Sequence, residues 1–101
     1  MSVLALAGAP AQAARVSCQG ECTTGAILSN RPGNYIDVLV INGGLAPGYC
    51  TWQLRDTDAG QLVASGTTWD GEQDSPRITG LYNAYYLFVS NWLCHGTIDN
   101  V

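Results

Sequence analysis

The apolar positions of this chain come in short runs cut by Gly, Pro, Asn and Asp, a rhythm that predicts strands and turns rather than helices. The clearest run is Tyr35–Asn42 (YIDVLVIN), β-branched and too short for a typical helix. Residues 49–55 (YCTWQLR) alternate, with Cys50, Trp52 and Leu54 on one face and Thr51, Gln53 and Arg55 on the other, as in a half-buried strand. Asp56-Thr57-Asp58-Ala59-Gly60 is a turn, and residues 61–68 (QLVASGTT) return as the second arm of a hairpin. Residues 69–76 (WDGEQDSP) form a polar acidic loop. Residues 77–82 and 84–93 supply two more strands divided near Asn83. Residues 18–29 hold one further strand, and 95–101 form a short edge strand or a tail. About six or seven short strands describe a small all-β antiparallel sandwich.

Four cysteines, Cys18, Cys22, Cys50 and Cys94, give it a disulfide framework. The favoured pairing is Cys18–Cys22, closing a tight loop over Gln19-Gly20-Glu21, with Cys50–Cys94 joining strands distant in sequence. The alternative sends Cys18 and Cys22 separately to Cys50 and Cys94. If the alternation of residues 84–93 runs on into Cys94, then Tyr86, Phe88, Ser90 and Trp92 share its face. Tyr85, Leu87, Val89, Asn91 and Leu93 then lie on the other. Trp52 and Trp92 are expected beside the Cys50–Cys94 staple. Several strands are apolar on both sides, so loops or a terminal strand must cover the second face, or part of it stays open for a partner.

Ile78, Thr79, Gly80 and Leu81, followed by residues 86–91 (YLFVSN), resemble the late strands of immunoglobulin- and fibronectin-III-like domains. The resemblance implies a leucine at the corner and a tyrosine opening the next strand, its hydroxyl bonded back to the main chain; Tyr85 and Tyr86 compete for that place. It implies an Ig-like fold class and no particular family.

The start, MSVLALAGAPAQAARVSC, changes where this sandwich is expected to work. A short apolar run ending in Pro10 and Ala11-Gln12-Ala13 has the form of a signal-peptide remnant with an A-x-A cleavage site. Residues 1–13 are accordingly expected to be removed, leaving 14–101 as one secreted domain in a compartment where disulfides persist. The apolar run is far shorter than the roughly 20 residues of a membrane span. Net charge is −4, with no lysine among the four cations. Nucleic acid and a basic membrane-binding face are therefore poor partners.

Catalytic groups are scarce. His95, the single histidine, adjoins Cys94, and neighbouring strand residues face opposite ways. No nucleophile motif or phosphate loop occurs, no cofactor is implied, and Cys-x-x-x-Cys with one histidine is poor zinc spacing. Asp56 to Gly60 lacks the ligand pattern of a calcium loop. Asp70, Glu72 and Asp74 are expected to be solvated. These features predict a non-catalytic protein-interaction module: an adaptor or accessory subunit of an extracellular assembly, such as a bacterial toxin complex, or an enzyme inhibitor. The candidate partner-binding residues are Arg15, Val16, Leu45, Pro47, Tyr49, Tyr85 and Leu87, with residues 43–49 (GGLAPGY) as the loop an inhibitor would present. The alternative is a carbohydrate- or cell-wall-binding module stacking a glycan on Trp69 and Tyr82.

Overall fold

The computed structural model describes residues 12–43, 48–69 and 71–101. Ten antiparallel strands are present: β1 Arg15–Gln19, β2 Cys22–Thr23, β3 Ile27–Leu28, β4 Tyr35–Asn42, β5 Tyr49–Asp56, β6 Leu62–Trp69, β7 Gln73–Asp74, β8 Arg77–Thr79, β9 Ala84–Val89 and β10 Cys94–Asp99. They form two sheets. One has the order β1-β10-β4-β7, with β8 also on β4; the other has β2-β9-β5-β6, with β3 also on β9. The expected disulfide-stapled sandwich is therefore present, with no helix among the described residues. Taking β2 with β3 and β7 with β8 as interrupted strands, the order is that of a double-sheet jelly roll, a member of the same sandwich class.

Alternation builds the interior. Ile36, Val38 and Val40 of β4, Cys50, Trp52 and Leu54 of β5, Tyr85, Leu87 and Val89 of β9, and Cys94 and Ile98 of β10 are all buried. Gly96 of β10 lets the sheets close: a Cβ there would meet Val89 Cγ2 at 2.5 Å. Within the other sheet, Gly66 leaves room for the ring of Trp52 on the adjacent strand, which would lie 2.6 Å from an added Cβ. The indole N–H of Trp52 donates to Asp74 Oδ2 at 2.9 Å, so this buried aromatic keeps its polar end satisfied.

The structure changes several expectations. Residues 95–101 are not an edge: β10 lies between β1 and β4. Residues 18–29 hold the end of β1 and two separated short pieces, β2 and β3, and β1 begins earlier, at Arg15. The acidic loop is shorter than expected, because Trp69 ends β6 and Gln73–Asp74 pair with β4. The parity of β9 is the reverse of that read into Cys94. Its strand ends at Val89, and a turn through Asn91 at φ 86° resets the alternation before Cys94. Tyr85, Leu87 and Val89 therefore face the core, whereas Tyr86 and Phe88 lie half-buried outside. Trp92 sits in that turn, 73% exposed, instead of in the core.

Candidate functional site

Both disulfides lie at one end of the sandwich and both join its two sheets. Cys50 of β5 is bonded to Cys94 of β10, and Cys18 of β1 to Cys22 of β2. The favoured pairing is the one observed. The short clip closes the corner where the chain leaves one sheet for the other; there the Gly20 amide donates to the Cys94 carbonyl at 2.8 Å. The same end collects three of the exposed aromatics, Tyr49, Trp69 and Trp92. Tyr49 opens β5 directly opposite Trp69 at the end of β6, their ring centroids 5.1 Å apart and tilted by 50°. Trp92 projects from the β9–β10 turn. That turn is fastened to the pair by Asn91, whose Nδ2 donates to the Tyr49 carbonyl at 3.0 Å. Tyr49 and Trp69 are 49% and 58% exposed.

Of the residues expected to meet a partner, Tyr49 is in place at this surface. Tyr85 and Leu87 are not: both are buried in the core, because β9 has the opposite parity to the one assumed. The Tyr85 hydroxyl instead accepts the Tyr82 amide at 3.1 Å, with Leu81 buried beside it. Tyr85, not Tyr86, is thus the tyrosine of the corner. Leu45 and Pro47 lie outside the described residues, as does most of the segment read as a signal remnant. Arg15 is exposed and paired with Asp99 at 3.4 Å, while Val16 packs half-buried against the core. Tyr82 is exposed, but it precedes β9 at the end of the sandwich opposite Trp69, so the structure does not bring these two together. Trp92 is the aromatic that sequence reasoning misplaced; Ser90-Asn91 was the available signal for a turn there.

The rest of the surface carries little concentrated chemistry. A charged row crosses the outer face of the first sheet, from Arg15 through Asp99 and Asp37 to Arg77. Arg77 holds Asp37 by two hydrogen bonds of 2.7 and 2.9 Å and lies 3.8 Å over the Tyr35 ring. The hydrogen bond with Asp37 raises the guanidinium pKa above its ordinary value. Leu39 and Ile41 share this face, beside Thr97 and His95 of β10. In the Asp56 to Gly60 turn, Asp56 Oδ1 accepts the amides of Asp58 and Ala59, a hairpin-turn arrangement. Asp74 turns inward to Trp52, and Asp70 lies outside the described residues. Among the described residues no three His, Cys, Asp or Glu side chains are grouped to hold a metal ion. None of them lines a pocket. No helix among them is long and apolar enough to cross a membrane.

No protein-family model and no curated protein matches this chain. Among solved structures, one from work describing Bacillus endospore appendages as a novel family of disulfide-linked pili aligns with 100% of this chain and 98% of that one. The identity is 10% and the TM-score 0.43, too distant a likeness to bear on function.

Proposed function

We propose that this chain is a non-catalytic interaction module of an extracellular assembly, docking another secreted protein on its disulfide-bonded end. One observation carries the reading: Tyr49, Trp69 and Trp92 are all exposed at that end, on main chain held by two disulfides between sheets. Aromatic side chains supply large contact area and are enriched where proteins bind one another. A rigid scaffold lowers the ordering cost of docking. Export is supported by the disulfides themselves, which persist in oxidising compartments. The surface suits an adaptor or accessory subunit; an inhibitor would rely on residues 43–49, of which only the two ends are described.

The test uses the intact, oxidised domain as bait in the producer's culture fluid, beside Trp69→Ala and Trp92→Ala variants. Wild-type protein should retain a partner that both variants release. A wild-type protein that retains nothing, or variants that retain the same partner equally, would overturn the proposal.

The exposed Tyr49–Trp69 pair supports a second reading, in which a glycan stacks on Trp69. The 50° tilt leaves no single flat face across both rings, which favours a protein partner. Glycan-array binding that disappears in Trp69→Ala and survives in Trp92→Ala would reverse that order.

A further inference from the structure

The two sheets have unequal edges. Natural proteins blunt edge strands with charge, proline, bulges or shortness, because unpaired main-chain groups there recruit another strand. β2, β3, β7 and β8 are two or three residues long, and Pro76 separates β7 from β8. β1 carries Arg15. β6 is different: its eight residues, LVASGTTW, hold neither charge nor proline, and its one irregularity is confined to the Leu62 end.

The main-chain directions along β6 follow from its neighbour. The Ser90 amide donates to the Thr51 carbonyl, so Thr51 faces β9, and Cys50, Trp52 and Leu54 must face β6. These three lie opposite Thr68, Gly66 and Ala64, whose main-chain groups are therefore used within the sheet. Ser65 and Thr67 alternate with them, so their N–H and C=O groups point out of the free edge. Neither residue has a hydrogen bond there among the described residues.

We propose that β6 pairs antiparallel with β6 of a second copy of this chain, about a two-fold axis at Gly66. The choice of a second copy rests on self-complementarity. In this register Ser65 of one copy lies opposite Thr67 of the other, so the outward groups meet as hydrogen-bonded pairs. Val63 of one copy then faces Trp69 of the other, covering apolar side chains that are 36% and 58% exposed in the single chain. A chain of net charge −4 repels its copy over most of its surface, and this strand contributes no charge to that repulsion. Gly66 at the axis leaves no side chain to crowd its symmetry mate. The edge joins two five-stranded sheets into one continuous sheet, an isologous arrangement that closes at two subunits.

The dimer covers Trp69, which the proposed docking surface also uses, but does not use Trp92, so Trp92→Ala distinguishes failure of one reading from failure of the other. The oxidised protein is studied by sedimentation velocity across a micromolar-to-millimolar range, with hydrogen exchange on the same samples. Wild-type protein should approach dimer mass as concentration rises, and the Ser65 and Thr67 amides should gain protection in step. The double variant Ser65→Lys/Thr67→Lys, altering two exposed side chains, should keep its near-ultraviolet tryptophan signal and remain monomeric. Ser65→Lys/Thr67→Glu places opposite charges across the same register and should restore the dimer. Trp92→Ala should dimerise like the wild type. Monomeric wild-type protein throughout would overturn the proposal, as would association that survives the double lysine variant. Failure of the Lys/Glu pair to restore association would overturn it as well.

Discussion

Asn100 shows how much one polar side chain organises. It is buried, and its Nδ2 donates to the carbonyls of Gln12 and Leu28 at 3.0 and 2.9 Å, while its Oδ1 accepts the Ala14 amide at 2.8 Å. Its own carbonyl accepts from Asn30 at 2.7 Å. The start of the domain, the strand after the first corner and the chain's end are thus tied at one residue. Asn100→Ala should lower unfolding free energy by about 1–3 kcal/mol, since it removes three hydrogen bonds to part-buried main-chain groups at once. Urea denaturation checks this, and an unchanged midpoint would contradict it. At Gly96 the cost is steric. A methyl there meets Val89 and Leu87, so Gly96→Ala should cost about 1–3 kcal/mol through overpacking. The same substitution at Gly25, which has no positive φ and nothing nearer than Val16 Cγ1 at 4.0 Å, meets no such contact and serves as its control. Neither role was visible beforehand: an asparagine near a chain end and a glycine after Cys-His look like loop residues until their neighbours are known.

At the scale of elements, the last two strands matter most. β9 lies between β2 and β5, and β10 between β1 and β4, so the closing segments of the chain form the middle of both sheets. Their pairings span long sequence separations, from Arg15 to Asp99 in β1 and β10. Truncation after Leu93 should therefore abolish the fold rather than trim it: β1 would lose its ladder, β4 one of its neighbours, and Cys50 its disulfide partner. Circular dichroism of the truncated domain tests this, and a native-like spectrum would refute it. β4 and β5 were legible from the sequence because their own alternation defines them. The position of residues 95–101 was not, since an edge strand and a central one differ in neighbours rather than in local pattern. The same limit misplaced Trp92: parity carries through a strand but not across the turn that separates β9 from β10.

For the whole molecule, the two disulfides differ in loop length and so in expected effect. On the loop-entropy account, Cys50–Cys94, 44 residues apart, stabilises by about 4 kcal/mol, and Cys18–Cys22, 4 apart, by about 2 kcal/mol. Paired Cys→Ala variants of each bridge, compared by chemical denaturation, should show that order. Equal losses would point to strain or residual structure in the unfolded chain. Reduction of both bridges together should shift the midpoint further than either variant, because a domain this small buries a limited core. The aromatic end also belongs to this scale, since it combines residues from separate strands, and so does the open edge of β6, which the order of the whole sheet leaves unpaired.

Local chemistry in the sequence determined the strand-and-turn rhythm, the inward faces of β4 and β5, and the preference for the observed cysteine pairing. These features depend on side-chain alternation and short-range turn residues, which are written along the chain. Tertiary structure decided which strands lie at the centre, which aromatics reach the surface and which edge stays unpaired. Those outcomes depend on how distant segments meet: Tyr85 and Leu87 became core, Tyr49 and Trp69 became neighbours, and Trp92 emerged at their end only when the two sheets closed.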